Sequence, residues 1–373
     1  TPTHPAGEFD RRLEAKGAVV NAATWKDYTF YYVTLPNSNG NLKEALELHA
    51  DMMLNPLIPE GEIGPSFDPE GADPDEKRER FVVIEEIRMR DDNHWTTTYD
   101  ALNSLMYNVH PYKRDVIGTA QVISSVSRDT IMNYYKNWYT PENMFTIVVG
   151  EVDSQEVLSL VQNSFAFPEV VSSEQPQYDS EPVQTEPRFV ENKKKEINTG
   201  FMMFGFHGPK PNDLKENICL DILSIILGEG KSSRMYQNLI EKQPEQVFNY
   251  VGTTQYEFRD GNVFLVQSNF VPDKKEKALE LIRGEIQKVI DAPIEEYELN
   301  KAKKRQKAGF AEESETVSDI GELIGHFMTV YEDITCHIRY LDVLESITCE
   351  DIRAVAAKYL DLNKSSISVL IPE

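Results

Sequence analysis

The residues best placed to do chemistry are two carboxylates, Glu79 and Glu86, in the stretch ERFVVIEEIRMRDD. Seven positions apart, they stand one above the other, two turns along a helix of 3.6 residues per turn. Val82, Val83 and Met89 lie three or four positions from Glu86, so the spacing predicts two carboxylates on an otherwise apolar helical face. Moving an ion out of water costs several kcal/mol, so a carboxylate there needs a cation, a metal or access to solvent. Arg90, four residues after Glu86, offers the bland alternative: an i,i+4 ion pair on a solvated face, contributing about 0.3–0.5 kcal/mol.

The chain that must position these groups has 373 residues, enough for two domains with cores of their own. Its 38 basic and 62 acidic residues leave a formal charge of −24, which repels nucleic acid and anionic membranes and suits neutral or basic ligands. No apolar run approaches the roughly 18 residues of a membrane span. The sequence opens Thr-Pro-Thr-His without Met, as a processed product or a fragment does, so the absence of a leader there says little. Cys219, Cys336 and Cys349 form no C-x-x-C spacing and read as reduced, buried residues, which favours a cytoplasmic setting.

Along the chain, 8–17 has a short helical pattern closed by Gly17, and 19–25 and 28–35 are β-rich runs bent at Lys26-Asp27. An amphipathic helix over 42–54 stops at Asn55-Pro56, and 61–76 is an acidic surface loop rich in Gly and Pro. Further helices are expected from 79 past 90, over 97–108, from a cap at Ser127 to Trp138, and over 154–164, with a strand at 144–149. From 169 to 196 the composition turns to Ser, Pro, Gln and Glu and then to a Lys run, the signature of a linker. Beyond it the pattern predicts a strand at 201–206, helices at 213–227 and 232–242, and strands near 248–258 and 262–270. Helices near 273–291, 294–312 and 316–332 and a helix-strand unit at 348–371 close the chain.

The two halves share a register. Ser125–Ile131 matches Ser346–Ile352 at an offset of 221, and the Ala45-Leu-Glu-Leu48 region matches Ala278-Leu-Glu-Leu281 at 233. The offsets differ by nearly the length of the 61–76 loop, which is therefore an insertion in the first copy. In this register the counterparts of strand 201–206 and helix 213–227 fall before residue 1, so the first copy is expected to lack its opening strand and helix here.

With these features assembled, the sequence resembles the pitrilysin, insulinase and mitochondrial-processing-peptidase-like family of inverted zinc metallopeptidases, in its short bacterial-type branch. The resemblance runs over nearly the whole chain and is carried by EFDRRLEAKGAVVNAATWKDYTFYYVTLP, ERFVVIEEI, HPYKRDVIGT, YTPENMFTIVVGEVD and LGEGKSSRMYQNLIEKQ. It implies an α+β fold of two homologous domains, each an antiparallel sheet covered by helices, facing one another across a chamber. The expected division is 1–168, a linker at 169–196, and a second domain without an active site at 197–373.

The family carries its catalytic Zn²⁺ on an H-x-x-E-H helix, which supplies two His ligands and the general base, and on a later Glu. The position matching that Glu is Glu86, and Glu79 matches a second acidic residue beside the metal. None of His4, His49, His94, His110, His207, His326 and His337 forms H-x-x-E-H. The family places that motif just upstream of the position of Thr1, in the helix the internal register finds missing, so the zinc site of this chain is expected to be incomplete. His94 and His110 read as structural residues. Asn21, Ala22, Ala23 and Thr24 match the edge strand along which the family adds substrate backbone to backbone. Tyr250 matches a substrate-holding Tyr, although its usual Arg companion is replaced by Ile240; Arg234 and Tyr236 are nearby alternatives. The implied function is a zinc-dependent endopeptidase cleaving unfolded peptides in the interdomain chamber, as a homodimer or a heterodimer with a family member. The alternative is a non-catalytic family subunit that binds peptide or partners a catalytic chain.

Overall fold

The computed structural model describes residues 1–38, 40–71, 76–167 and 178–373. Residues 72–75 of the acidic loop, and 168–177 at the expected domain end and linker start, lie outside them. The first part of the chain forms α1 (Glu8–Glu14), the strands β1 (Val19–Thr24) and β2 (Thr29–Thr34), α2 (Asn41–Leu54) and the short α3 (Glu60–Ile63). It continues through α4 (Glu79–Asp92), α5 (His94–Met106), α6 (Ala120–Ser125), α7 (Arg128–Trp138) and α8 (Ser154–Ser164). Short polar side chains cap the starts of α5, α7 and α8: Asn93 accepts from the N–H of Trp95 and Thr96, Ser127 from Thr130, and Asp153 from Gln155 and Glu156.

The rest comprises β3 (Arg188–Lys194), β4 (Gly200–His207), α9 (Leu214–Gly228), β5 (Phe248–Phe258) and β6 (Gly261–Phe270). After these come α10 (Lys275–Asp291), α11 (Glu296–Glu312), α12 (Val317–Thr329), α13 (Thr335–Ser346), α14 (Cys349–Tyr359) and β7 (Ser366–Pro372). Between α9 and β5, Tyr236–Glu241 is wound as a π-helix.

Two compact units result. One takes 1–89, 116–177 and 314–325, the other 90–115, 178–313 and 326–373, so the division in space does not follow the division expected at 168 and 197. The first unit holds the antiparallel hairpin β1–β2 and a small core of Leu13, Ala45 and Leu48 backed by Phe9, Val20, Val33 and Leu35. The strand expected at 144–149 is irregular. Its register mate, β7, takes its ladder from β4 and β3, and no strand is paired with 144–149 among the described residues. A β-rich sequence without a ladder partner leaves its backbone groups unpaired and does not form a strand.

The second unit is built on a five-stranded sheet, order β3-β7-β4-β6-β5, antiparallel except for the β3–β7 pair. β3 falls within the stretch expected as linker, and α13 was not foreseen. Met202, Phe204 and Phe206 alternate to one face of β4, and their neighbours Val266 and Ile367 continue it; every one of these is at most 1% exposed. The buried helix α9, apolar nearly all round, runs with this sheet. The opposite face, with Phe201, Met203 and Gly205, receives α5. A side chain at Gly205 would meet Met106 Sδ at 2.5 Å and Leu102 Cδ2 at 3.1 Å, so the absent Cβ is what lets that helix approach. Beyond the end of α5, the Glu181 carboxylate accepts the N–H groups of Asn108, Val109 and His110 at 2.7, 2.9 and 3.0 Å. Arg188 donates to the last carbonyls, Leu105 and Met106.

Cys219 and Cys336 are buried and Cys349 half-buried, all as free thiols. Burial, with Asp351 nearby, pushes the Cys219 thiol up to about 12. Among the described residues no helix is long and apolar enough to cross a membrane.

Candidate functional site

α4 carries the two carboxylates, but not on the face its apolar residues suggest. Its inward side is Arg80, Phe81 and Ile84. Phe81 stacks on Phe67 with ring centroids 4.2 Å apart. Arg80, 6% exposed, donates to the carbonyls of Ile123 and, at 2.8 Å, Val126. Backbone acceptors thus take two of the three nitrogens of a buried guanidinium, Nε having no partner among the described residues, and fix which side of the helix turns in. Glu79 and Glu86 lie on the outward side and are exposed, together with Val82 at 39% and Met89 at 73%. The expectation of a carboxylate on a buried apolar face is corrected in this respect: the face is apolar and open.

Arg90 does not answer Glu86 either. It is held by both oxygens of Asp115 at 2.9 Å, with Asp100 at 3.7 Å. Arg88 is taken by Glu85. Among the described residues neither Glu79 nor Glu86 has an ion-pair or hydrogen-bond partner. Two free carboxylates two turns apart on an uncovered helix face are an acceptor set for a cation. Yet among the described residues no group of three or more His, Cys, Asp or Glu is placed to hold a metal ion. Two carboxylates supply none of the nitrogen or sulfur donors zinc selects, so the residues present do not by themselves fit that ion.

Of the histidines set aside above, His94 packs edge-on to Phe201 at 5.3 Å. His110 accepts from Tyr112 N–H at 3.3 Å and faces Asp260 at 3.4 Å. Both are structural members of the second unit.

Asn21–Thr24 forms most of β1, with Asn21 opposite Tyr32, Ala22 opposite Tyr31, Ala23 opposite Phe30 and Thr24 opposite Thr29. All four are exposed. Trp25 N–H donates to Tyr28 C=O at 2.8 Å. By the alternation of an antiparallel pair, the odd-numbered residues of β1 therefore turn their backbone groups to β2, and Val20, Ala22 and Thr24 turn theirs outward. No strand meets that outer edge among the described residues.

Tyr250 belongs to the second unit and stands 44% exposed on β5. With Trp95, Gln267 and Asn269 it lines a hollow of about 390 Å³. Sequence reasoning missed the last three, because Trp95 arrives from α5 and only the register of β6 brings the amides to the same face. The faint signal was the polar alternation Gln267, Asn269 in an otherwise apolar strand. Ile240 lines a separate hollow beside the π-helix. Arg234 is committed to Glu298 at 2.6 Å, and Tyr236 hydrogen-bonds Glu241, so neither replaces the missing Arg as a free substrate contact.

The profile of the insulinase family, Peptidase family M16, matches residues 1–120, and that of the Peptidase M16 inactive domain matches 125–306. The zinc protease PqqE of Helicobacter pylori is 30% identical over 373 residues, covering 98% of this chain and 79% of its own. An uncharacterized zinc protease of Mycobacterium leprae is 26% identical, covering 97% of this chain and 77% of its own. Among solved structures, a protease from Helicobacter pylori superposes with a TM-score of 0.86 at 28% identity, covering 98% of this chain and 85% of that one. A peptidase M16 inactive domain from Pseudomonas fluorescens gives the same TM-score at 17% identity, covering 100% and 85%, a likeness of fold alone. The chain belongs to the M16 peptidase family, and its α+β architecture is that family's.

Proposed function

We propose that this chain is part of a zinc-dependent endopeptidase acting on unfolded peptides in a chamber between its two domains, with Glu86 as the carboxylate ligand of the metal and Glu79 beside it. The observation that carries the reading is the pair of unpartnered carboxylates on the open, partly apolar face of α4, in a family whose relatives here are named zinc proteases. In this reading the nitrogen ligands and general base come from outside the residues described, and bound zinc would supply an activated water for attack on a peptide carbonyl. The residues here would position that chemistry. Glu86 offers an anion on an open helix face beside Val82 and Met89, and the outer edge of Asn21–Thr24 offers outward-facing backbone groups to an extended peptide, which would displace the Asn21 side chain from Ala22 N–H. The charge of −24 favours basic substrates. Assembly as a homodimer, or with another family member, belongs to the same proposal.

A second reading, a non-catalytic subunit that binds peptide or partners a catalytic chain, is favoured by the lack of a three-ligand metal cluster among the described residues. Zinc content and cleavage of an unstructured basic peptide separate the two. The measurement compares the 373 residues alone, a form extended through whatever precedes Thr1 in its gene, and that extended form with Glu86→Gln. The proposal expects zinc and chelator-sensitive cleavage only in the extended form, and loss of most of both on Glu86→Gln. Zinc and activity in the 373 residues alone would overturn the incomplete-site reading, and an extended form with neither would favour the non-catalytic subunit.

A further inference from the structure

One helix breaks the charge pattern of the chain. In α11, five of the 38 basic residues, Lys301, Lys303, Lys304, Arg305 and Lys307, fall within seven positions, and no acidic residue lies between Glu298 and Glu312. The inward side of the helix is marked by Glu298, Leu299 and Ala302, which are buried. At 3.6 residues per turn the opposite side carries Tyr297, Lys304 and Lys307, with Lys301 and Arg305 along one border. Tyr297 is 69% exposed.

The neighbours brace this face without neutralising it. Lys301 Nζ donates to the carbonyl and hydroxyl oxygens of Ser232 at 3.0 and 3.1 Å, and Lys303 Nζ donates to the Glu345 carbonyl at 2.7 Å. Among the described residues two of the five cations form ion pairs: Arg305 with Glu229 at 2.8 Å, and Lys307 with Glu345. Lys304 is exposed and has no partner among the described residues. Like charges four apart destabilise a helix, and Lys301 with Arg305 and Lys303 with Lys307 are such pairs. An acidic surface laid across the face relieves that repulsion.

The chain carries the complementary surface itself. From Glu60 to Glu76 there are seven acidic residues and no basic one. Glu60, Glu62, Asp68 and Glu70 are exposed, and none has an ion-pair partner among the described residues. Their backbone is tied down: Phe67 stacks on Phe81, its N–H donates to the Ser124 carbonyl at 3.2 Å, and Arg88 donates to the Pro69 carbonyl at 3.0 Å. The carboxylates are thus presented on ordered chain, and little conformational freedom is lost when a partner meets them.

We propose that the outward face of α11 docks Glu60, Glu62, Asp68 and Glu70 of a second copy of this chain, a contact made twice in a two-fold dimer. Tyr297 supplies an aromatic contact beside the charges. Each copy has a formal charge of −24, but at about 0.1 M salt the Debye length is about 10 Å, so remote acids are screened while charges in contact are not. The inference rests on the homodimer proposed above, to which it assigns an interface, and is independent of zinc.

Sedimentation equilibrium of the 373-residue chain at about 0.1 M salt tests it. The native chain is compared with a Lys304→Glu, Lys307→Glu variant and a Glu62→Lys, Glu70→Lys variant. All four positions are exposed, so both variants should unfold thermally as the native chain does. The native chain should dimerise, and each variant alone should associate about tenfold more weakly or worse, because like charges are brought together. An equimolar mixture of the two variants should recover the native affinity: the reversed helix then meets the reversed segment, and the native helix meets the native segment. A mixture that binds no more tightly than its components would overturn the interface. A native dimer unaffected by either pair of substitutions would also overturn it while leaving the homodimer standing, and a monomeric native chain would overturn both.

Discussion

The side-chain carbonyl of Asn21 accepts the N–H of Ala22 at 2.8 Å, on the edge of β1 that no strand covers among the described residues. That N–H is one of the outward-facing groups of the hairpin, so the protein closes with its own side chain a donor that any added strand would use. An exposed edge is an aggregation template unless blunted, and a local amide is a light way to blunt it. Asn21→Ala should leave global stability within about 0.5 kcal/mol, as exposed substitutions usually do. It should speed amide hydrogen exchange at Ala22 relative to Asn21 and Ala23, whose N–H groups face β2. Unchanged exchange at Ala22 would show that the contact does not protect that group.

Glu181 binds three successive backbone N–H groups beyond the end of α5. Burial raises its pKa, and the hydrogen bonds from Asn108, His110 and Val109 outweigh burial, so the net direction is below the ordinary 4.5. A carboxyl group depressed on folding contributes stability above its unfolded pKa and loses it as pH falls through the folded one. Glu181→Gln should cost about 1–3 kcal/mol at neutral pH, the penalty of a weakened charged hydrogen-bond set. The difference from the native chain should shrink steadily as pH drops below about 4.5. Urea unfolding at pH 7 and pH 3 gives both values; an equal difference at the two would refute the charge-dependent account.

Asp221 has the opposite sign. It sits half-buried on α9, accepting from Tyr340 Oη at 3.1 Å and from Gln255. Burial first and the neighbouring Glu257 second raise its pKa well above 3.8, against those two hydrogen bonds, with Glu313 adding to the rise. Glu257 is itself held by Tyr331 Oη at 2.7 Å and faces His326 at 3.1 Å. An acid raised on folding loses stability as pH climbs from its unfolded pKa towards the folded one, by about 1.4 kcal/mol per unit. Asp221→Asn keeps an acceptor oxygen and cannot ionise, so its stability should decline less than that of the native chain between about pH 4 and 7. Parallel thermal-denaturation curves for the two proteins across that range would rule the buried carboxyl out as the source of the slope.

The sequence made the hairpin legible because alternation and the Lys26-Asp27 bend are local signals, and the same is true of β4 to β6 and most helices. The surroundings of Glu86 were misread for a physical reason. Val82, Val83 and Met89 looked like a core stripe, while the residue that orients α4 is Arg80, whose buried head depends on carbonyls more than forty positions away. RFVENKK was read as linker because its Lys run is polar. As β3 it is an edge strand, where charge guards against further pairing. The strand expected at 144–149 had the composition but no partner strand among the described residues. The Trp95 hollow has no local signature, since three elements, α5, β5 and β6, must meet to form it.

The position of α5 sets an order of events during synthesis. This helix leaves the ribosome well before β4 and before β7, the last strand of the sheet it covers. At roughly 5–20 residues per second, the interval between them is on the order of ten seconds or more. For that time Leu102 and Met106, 0% and 1% exposed in the finished fold, have no surface of their own to rest on. Over that interval the apolar side of α5 stays open to water, and a substitution that weakens the helix would act on the nascent chain before the second unit exists to receive it.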